Sequence, residues 1–206
     1  LKGENLGKGI VPPGNGFVFS GPIYVIDCQG KWEAWVKNAE DWFEAMGYKS
    51  DLVYYPSVKQ IGAYIQNPNT EVFFELAHGN ETGFTHCCDG VDNNVYAEDI
   101  KKWLENRDKM KFAFIGSCQG MCRTESDGTF SYAFRKGSNS ETSTVGYCRM
   151  AADKCFNCWL ESINWQDTLF NYLNKGLSVK QAFDNANTEY PMCAPPTSCM
   201  RFAGDP

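Results

Sequence analysis

The chain has 206 residues, enough for one sizeable domain, and its 43% hydrophobic and 21% charged content excludes disorder as the main state. A formal charge of −6 with scattered Lys and Arg leaves no basic footprint for a nucleic-acid backbone, and no uncharged apolar window is long enough to span a membrane. The ten cysteines are many for a reducing cytosol and point to an oxidising setting, a secreted or cell-surface location, or else to a disulfide-using thermophile, whereas His78 and His86 are the whole supply of imidazole.

In chain order, the stretch up to Phe17 is rich in Gly and Pro and reads as an arm or the remnant of a pro-segment; the start at Leu1 is read as that of a trimmed or processed domain. Ile23 to Asp27 reads as the first buried strand. Trp32, Trp35, Val36, Ala39, Trp42, Phe43 and Met46 then recur at helical spacing until Gly47. Leu52 to Tyr55 predicts a strand, Val58 to Ile65 a helix closed by Asn67-Pro68, and Glu71 to Ala77 a strand with an almost unbroken apolar centre. Such continuous runs demand cover on both faces of a sheet. A polar stretch runs from His78-Gly79 to Asn94. A helix at Ala97 to Leu104, a strand at Phe112 to Ile115, a helical patch at Phe130 to Phe134 and a strand at Thr142 to Tyr147 follow. Two late helices, Trp165 to Leu173 and Val179 to Tyr190, are split by Lys175-Gly176. This alternation predicts one α/β domain over residues 1–206, a mostly parallel central sheet between layers of helices.

Two strand ends carry chemistry. One apolar strand runs into His78-Gly79 and another into Gly116-Ser117-Cys118. If the strands are neighbours, an imidazole and a thiol leave the same edge of one sheet, where ligands of open parallel sheets bind. A thiol becomes a useful nucleophile once an imidazole takes its proton, and the amides of Gly79 and Cys118 are the expected oxyanion donors. Competing accounts are a buried structural Cys118, a Cys118–Cys122 disulfide, and a His78 that only hydrogen-bonds. His86 is the weaker base candidate because it lies in a polar loop beside Cys87-Cys88, while His78 directly follows its strand. Gly116 to Gly120 also spells G-x-C-x-G, a nucleophile elbow with cysteine for serine, but both histidines precede Cys118 and no base remains downstream.

A strand ending in His-Gly, here Val72 to Gly79, followed by a strand ending in a small residue and Cys, here Phe112 to Cys118, resembles the caspase-like peptidases, which include caspases, gingipains, legumain, clostripain and separase. Leu173 to Val179 and the Gly204-Asp205-Pro206 segment are similar to the late part of gingipain-type domains, so the resemblance covers roughly Ile23 to Pro206. It implies a three-layer α/β domain and a cysteine endopeptidase acting on polypeptides, with Cys118 as nucleophile and His78 as base and leaving-group acid. It also implies a specificity pocket near the end of the first strand. Asp27 there would pair with a basic side chain, or it caps the turn into the following helix. No cofactor is required, although calcium occurs among gingipain-like peptidases and Asp89, Asp92, Asn93, Asn94, Glu98 and Asp99 supply oxygens; a solvated loop is the simpler reading. Cys155, Cys158, Cys193 and Cys199 read as disulfide partners rather than zinc ligands, and two histidines argue poorly for a zinc hydrolase. Asn80-Glu81-Thr82 is a glycosylation sequon whose glycan would crowd the dyad. The competing function is an inactive caspase-like binding domain of a larger surface protein.

Overall fold

The computed structural model describes residues 14–21, 29–85, 94–108, 110–137, 142–148, 159–191 and 200–204. Six strands form the central sheet: β1 (Asn15–Ser20), β2 (Lys49–Tyr54), β3 (Thr70–Leu76), β6 (Phe112–Ile115), β7 (Ser143–Tyr147) and β8 (Met200–Ala203). Their order is β2-β1-β3-β6-β7-β8, parallel throughout except for β8, which runs antiparallel to β7. A separate antiparallel hairpin pairs β4 (Gly83–Thr85) with β5 (Asn94–Tyr96).

Six helices cover the sheet: α1 (Gln29–Ala45), α2 (Val58–Gln66), α3 (Ala97–Leu104), α4 (Phe130–Lys136), α5 (Trp159–Asn174) and α6 (Val179–Glu189). The period of two along β3 divides its side chains between two cores. Val72, Phe74 and Leu76 join Trp35, Phe43, Trp165 and Phe170 on the side of α1, α5 and α6. Phe73 and Ala77 join Ile61, Ile100 and Phe134 on the side of α2, α3 and α4. Each face of β3 is thus sealed, as its unbroken apolar sequence requires. Trp32, Trp35 and Trp165 are buried in the first of these cores, in packing roles.

Local sequence sets the helix boundaries. Ser57 and Gln60 form a reciprocal capping box at the start of α2, and Ser178 and Gln181 form another at the start of α6. In α3 the buried positions Ala97, Ile100 and Leu104 fall on one face, with Glu98 and Asp99 in the first turn and Lys101 and Lys102 in the last, which suits the helix dipole. Between α1 and α5 a buried polar chain links Trp35 Nε1 to Gln166 Oε1 at 2.7 Å and Gln166 Nε2 to Asn38 Oδ1 at 2.6 Å. The buried Arg107 guanidinium donates to the carbonyls of Ile65, Asn67 and Thr70, pinning the α2–β3 connection.

One strand differs from the expectation. The strand between β2 and β3 is Asn15–Ser20, so Asn15 to Phe17 belong to the sheet rather than to an arm. The proposed strand Ile23 to Asp27 lies outside the described residues. Gly16 explains why a central strand hides in a Gly-rich stretch: a Cβ there would stand 3.0 Å from the Phe43 ring and 3.2 Å from Val72. Among the described residues no helix is long and apolar enough to cross a membrane.

Candidate active site

The site begins with register. β3 and β6 are parallel neighbours, and Glu75 is the partner of Ile115. His78 lies three residues beyond Glu75 and Cys118 three residues beyond Ile115, so the two leave adjacent strands at the same level. Neighbouring strands are about 4.8 Å apart. Both side chains also fall on the same face of the sheet. Cys118 packs against the core beneath α1, α5 and α6, and the His78 imidazole lies 5.3 Å, centroid to centroid, from the ring of Trp32 on α1, a member of that core. Each is half-buried, one side on apolar cover and the other open.

The two turns that carry them touch. A Cβ on Gly79 would lie 2.8 Å from the Ser117 Cβ and 2.6 Å from the Gly83 carbonyl oxygen, so only glycine lets the His78-Gly79 turn close on the Ser117-Cys118 turn. Gly79 bridges Phe84, flanked by Asn80 N–H donating to Gly83 O at 2.8 Å and Thr85 N–H donating to His78 O at 2.7 Å. In that antiparallel pattern the amide of the central residue points away from the partner strand, which leaves the Gly79 N–H directed off the hairpin. Asn80 closes this small turn, its Oδ1 accepting from the Thr82 and Gly83 amides and the Thr82 hydroxyl.

On the other side the chain reverses directly after Cys118. Gln119 takes a φ of 61°, a left-handed conformation uncommon for a side chain of this type, and Gly120 N–H donates to Ser117 O at 3.2 Å. Met121 N–H then donates to Tyr147 O at 2.8 Å, and Cys122 forms a disulfide with Cys148, tying the loop to the end of β7. The competing Cys118–Cys122 pairing is thereby overturned, because the Cys122 sulfur belongs to Cys148.

Glu75 is the group that reading the sequence passed over. It is fully buried, and its Oε1 accepts the Ser117 N–H at 2.8 Å while its own carbonyl accepts the Gly116 N–H at 2.9 Å. Burial pushes its carboxyl up to about 8, against hydrogen bonds from Ser117 that pull it down. The signal was present as the one charged residue inside Val72-Phe73-Phe74-Glu75-Leu76-Ala77.

The remaining expected residues divide plainly. Asp27, His86, Asp89, Asp92, Asn93, Cys155, Cys158, Cys193 and Cys199 lie outside the described residues. Of the oxygen-rich cluster, Asn94 Oδ1 accepts from the Thr85 hydroxyl at 3.2 Å and Asp99 accepts the Tyr96 N–H at 3.0 Å, both local roles in the hairpin and the start of α3.

An imidazole and a thiol at one rim, beside an outward glycine amide, make a set suited to acyl transfer. No protein-family model matches the chain and no curated protein matches it by sequence. Solved structures do match in shape. The pro-sf-caspase-1 structure superimposes with a TM-score of 0.59 at 12% identity, over 93% of this chain and 86% of that one. Caspase-1 from Spodoptera frugiperda gives 0.58 at 10% identity, over 98% and 93%. Separase in the Saccharomyces cerevisiae separase–securin complex gives 0.59 at 15% identity, over 94% of this chain and 12% of that one. The architecture, a mostly parallel six-stranded sheet between helical layers, is the caspase-like fold.

Proposed function

We propose that the chain is a cysteine endopeptidase with Cys118 as nucleophile and His78 as its proton carrier. The observation that carries this reading is the shared level of His78 and Cys118 beyond adjacent parallel strands, on one face, in turns that touch at Gly79 and Ser117. The Cys118 sulfur, its proton passed to His78, attacks the scissile carbonyl carbon, and the carbonyl electron pair moves onto oxygen. The amides of Gly79 and Cys118 hold that oxyanion. Its collapse breaks the C–N bond, His78 returns the proton to the leaving amine, and a thioester remains. Water, deprotonated by His78, then attacks the thioester and releases the acid and the thiol.

The caspase-like neighbours support a polypeptide substrate. Asp27 is the proposed source of a preference for Arg or Lys at the cleaved position, through an ion pair with the bound side chain. The Cys122–Cys148 disulfide supports a place of action in an oxidising compartment, secreted or at a cell surface.

A peptide-library cleavage profile, with Cys118→Ala and His78→Ala as controls, tests the reading. Cleavage after basic residues that both substitutions abolish is the expected result. Absence of cleavage by the unaltered protein, or cleavage that survives Cys118→Ala, would overturn it.

A further inference from the structure

We infer that Glu75 is a positioning residue for Cys118: its buried carboxyl holds the Gly116-Ser117-Cys118 turn from beneath and so presents the sulfur at the sheet rim. The inference rests on the peptidase reading above. Glu75 binds two consecutive amides of that turn, Gly116 N–H through its carbonyl at 2.9 Å and Ser117 N–H through its carboxyl at 2.8 Å. Ser117 is in turn the residue against which Gly79 closes. The carboxyl thus adds to the ordinary strand bond at Gly116 a second hold at Ser117, the surface on which the His78-Gly79 turn rests.

The carboxyl does this work as the neutral acid. Its register partners on the flanking strands are Phe19 and Ile115, both apolar and fully buried. Buried carboxylates are ordinarily matched by a cation. Of the cations on that side, Arg107, just past α3, is engaged on the carbonyls of Ile65, Asn67 and Thr70, Arg135 of α4 on Glu125 and the Thr124 carbonyl, and Lys101 of α3 on Asp127. The turns above it carry His78, Glu81 and Cys118, and Glu81 pairs with Arg123 at 3.1 Å. Among the described residues Glu75 Oε2 is buried without a hydrogen-bond partner, and the Ser117 amide on Oε1 offsets only part of the cost of burying a charge there. A neutral acid supports the turn without adding negative charge under a site where a thiolate and an oxyanion must form. Ionised, the same group would oppose both.

The test compares the full chain with Glu75→Gln and Glu75→Leu, measuring kcat and KM on the best library peptide across about pH 6 to 9, alongside the melting temperature of each. Leucine removes the acceptor for Ser117 N–H and is expected to lower kcat at least about tenfold with KM within about twofold, the split that marks lost alignment rather than lost binding. Glutamine keeps an acceptor and cannot ionise. It is expected to recover most of that kcat and to erase the part of the alkaline fall in kcat that the unaltered protein shows as Glu75 ionises near pH 8. Should Glu75→Leu fail to fold, the Glu75→Gln profile decides alone. Unchanged kcat in Glu75→Leu, or an alkaline fall in Glu75→Gln identical to that of the unaltered protein, overturns the inference while leaving the peptidase reading intact. An unaltered protein that cleaves nothing overturns both.

Discussion

At the scale of single residues, a carboxyl inside an apolar layer leaves a signature in stability as well as in chemistry. The Glu75 carboxyl sits at about 8 in the folded chain against an ordinary 4.5, so between those values the folded state holds a proton that the unfolded state has released. Stability from this group is full below about pH 4.5, falls as pH rises toward 8 and levels off above it, with a slope of at most about 1.4 kcal/mol per pH unit. Urea melts of the unaltered protein and of Glu75→Gln across that interval are expected to diverge in slope, the Gln variant being the flatter. Parallel curves would mean that Glu75 is ionised in the fold. Gly79 acts at the same scale through what it lacks: the space its Cβ would fill belongs to Ser117 and Gly83, so the contact between the two turns is written into a single glycine.

At the scale of elements, much was legible, and the reason is period. Helix α3 and strand β6 fall where apolar spacing put them, and α2 ends one residue later, because a cap or a clean switch from period 3.6 to period 2 marks each boundary. The misses have physical causes. β1 carries Gly16 for close packing against α1, so it read as part of a Gly-rich arm beside the stronger apolar run of Ile23 to Ile26. β4 and β5 are three residues each, too short to show a period, and the four residues of β8 become a strand only through pairing with β7, a tertiary fact. The caps offer a direct check. Ser178→Ala removes the oxygen that accepts the Gln181 N–H at 3.3 Å and is expected to cost about 1 kcal/mol in chemical denaturation, with the fold retained. No measurable loss would place the stability of α6 wholly in its packing.

At the scale of the whole molecule, the candidate site is a product of topology. His78 and Cys118 were legible as strand-end residues, but their meeting depends on β3 and β6 being adjacent and parallel, which no local pattern states. The disulfide partner of Cys122 was equally beyond spacing arguments, because Cys148 becomes its neighbour only when β7 pairs with β6. That bond closes a loop with a sequence separation of 26 residues that contains α4 and β7, which in the chain-entropy account stabilises the fold by roughly 3–4 kcal/mol. Replacing both Cys122 and Cys148 by Ala is expected to lower the denaturation midpoint accordingly. It should also slow peptide cleavage, since the loop that follows Cys118 loses its tie to the end of β7. A variant as stable and as active as the unaltered protein would show that the Met121–Tyr147 hydrogen bond and core packing hold the loop unaided.

Peptidase chemistry here requires His78 to reach Cys118, and covalent labelling reads that reach directly. A peptidyl acyloxymethyl ketone bearing Arg, followed by mass mapping, is expected to modify Cys118 in the unaltered chain and to react at least about a hundredfold more slowly with His78→Ala, in keeping with the contribution of a positioned base. Labelling of Cys118 at the same rate in both proteins, or modification at other cysteines only, would contradict a shared site.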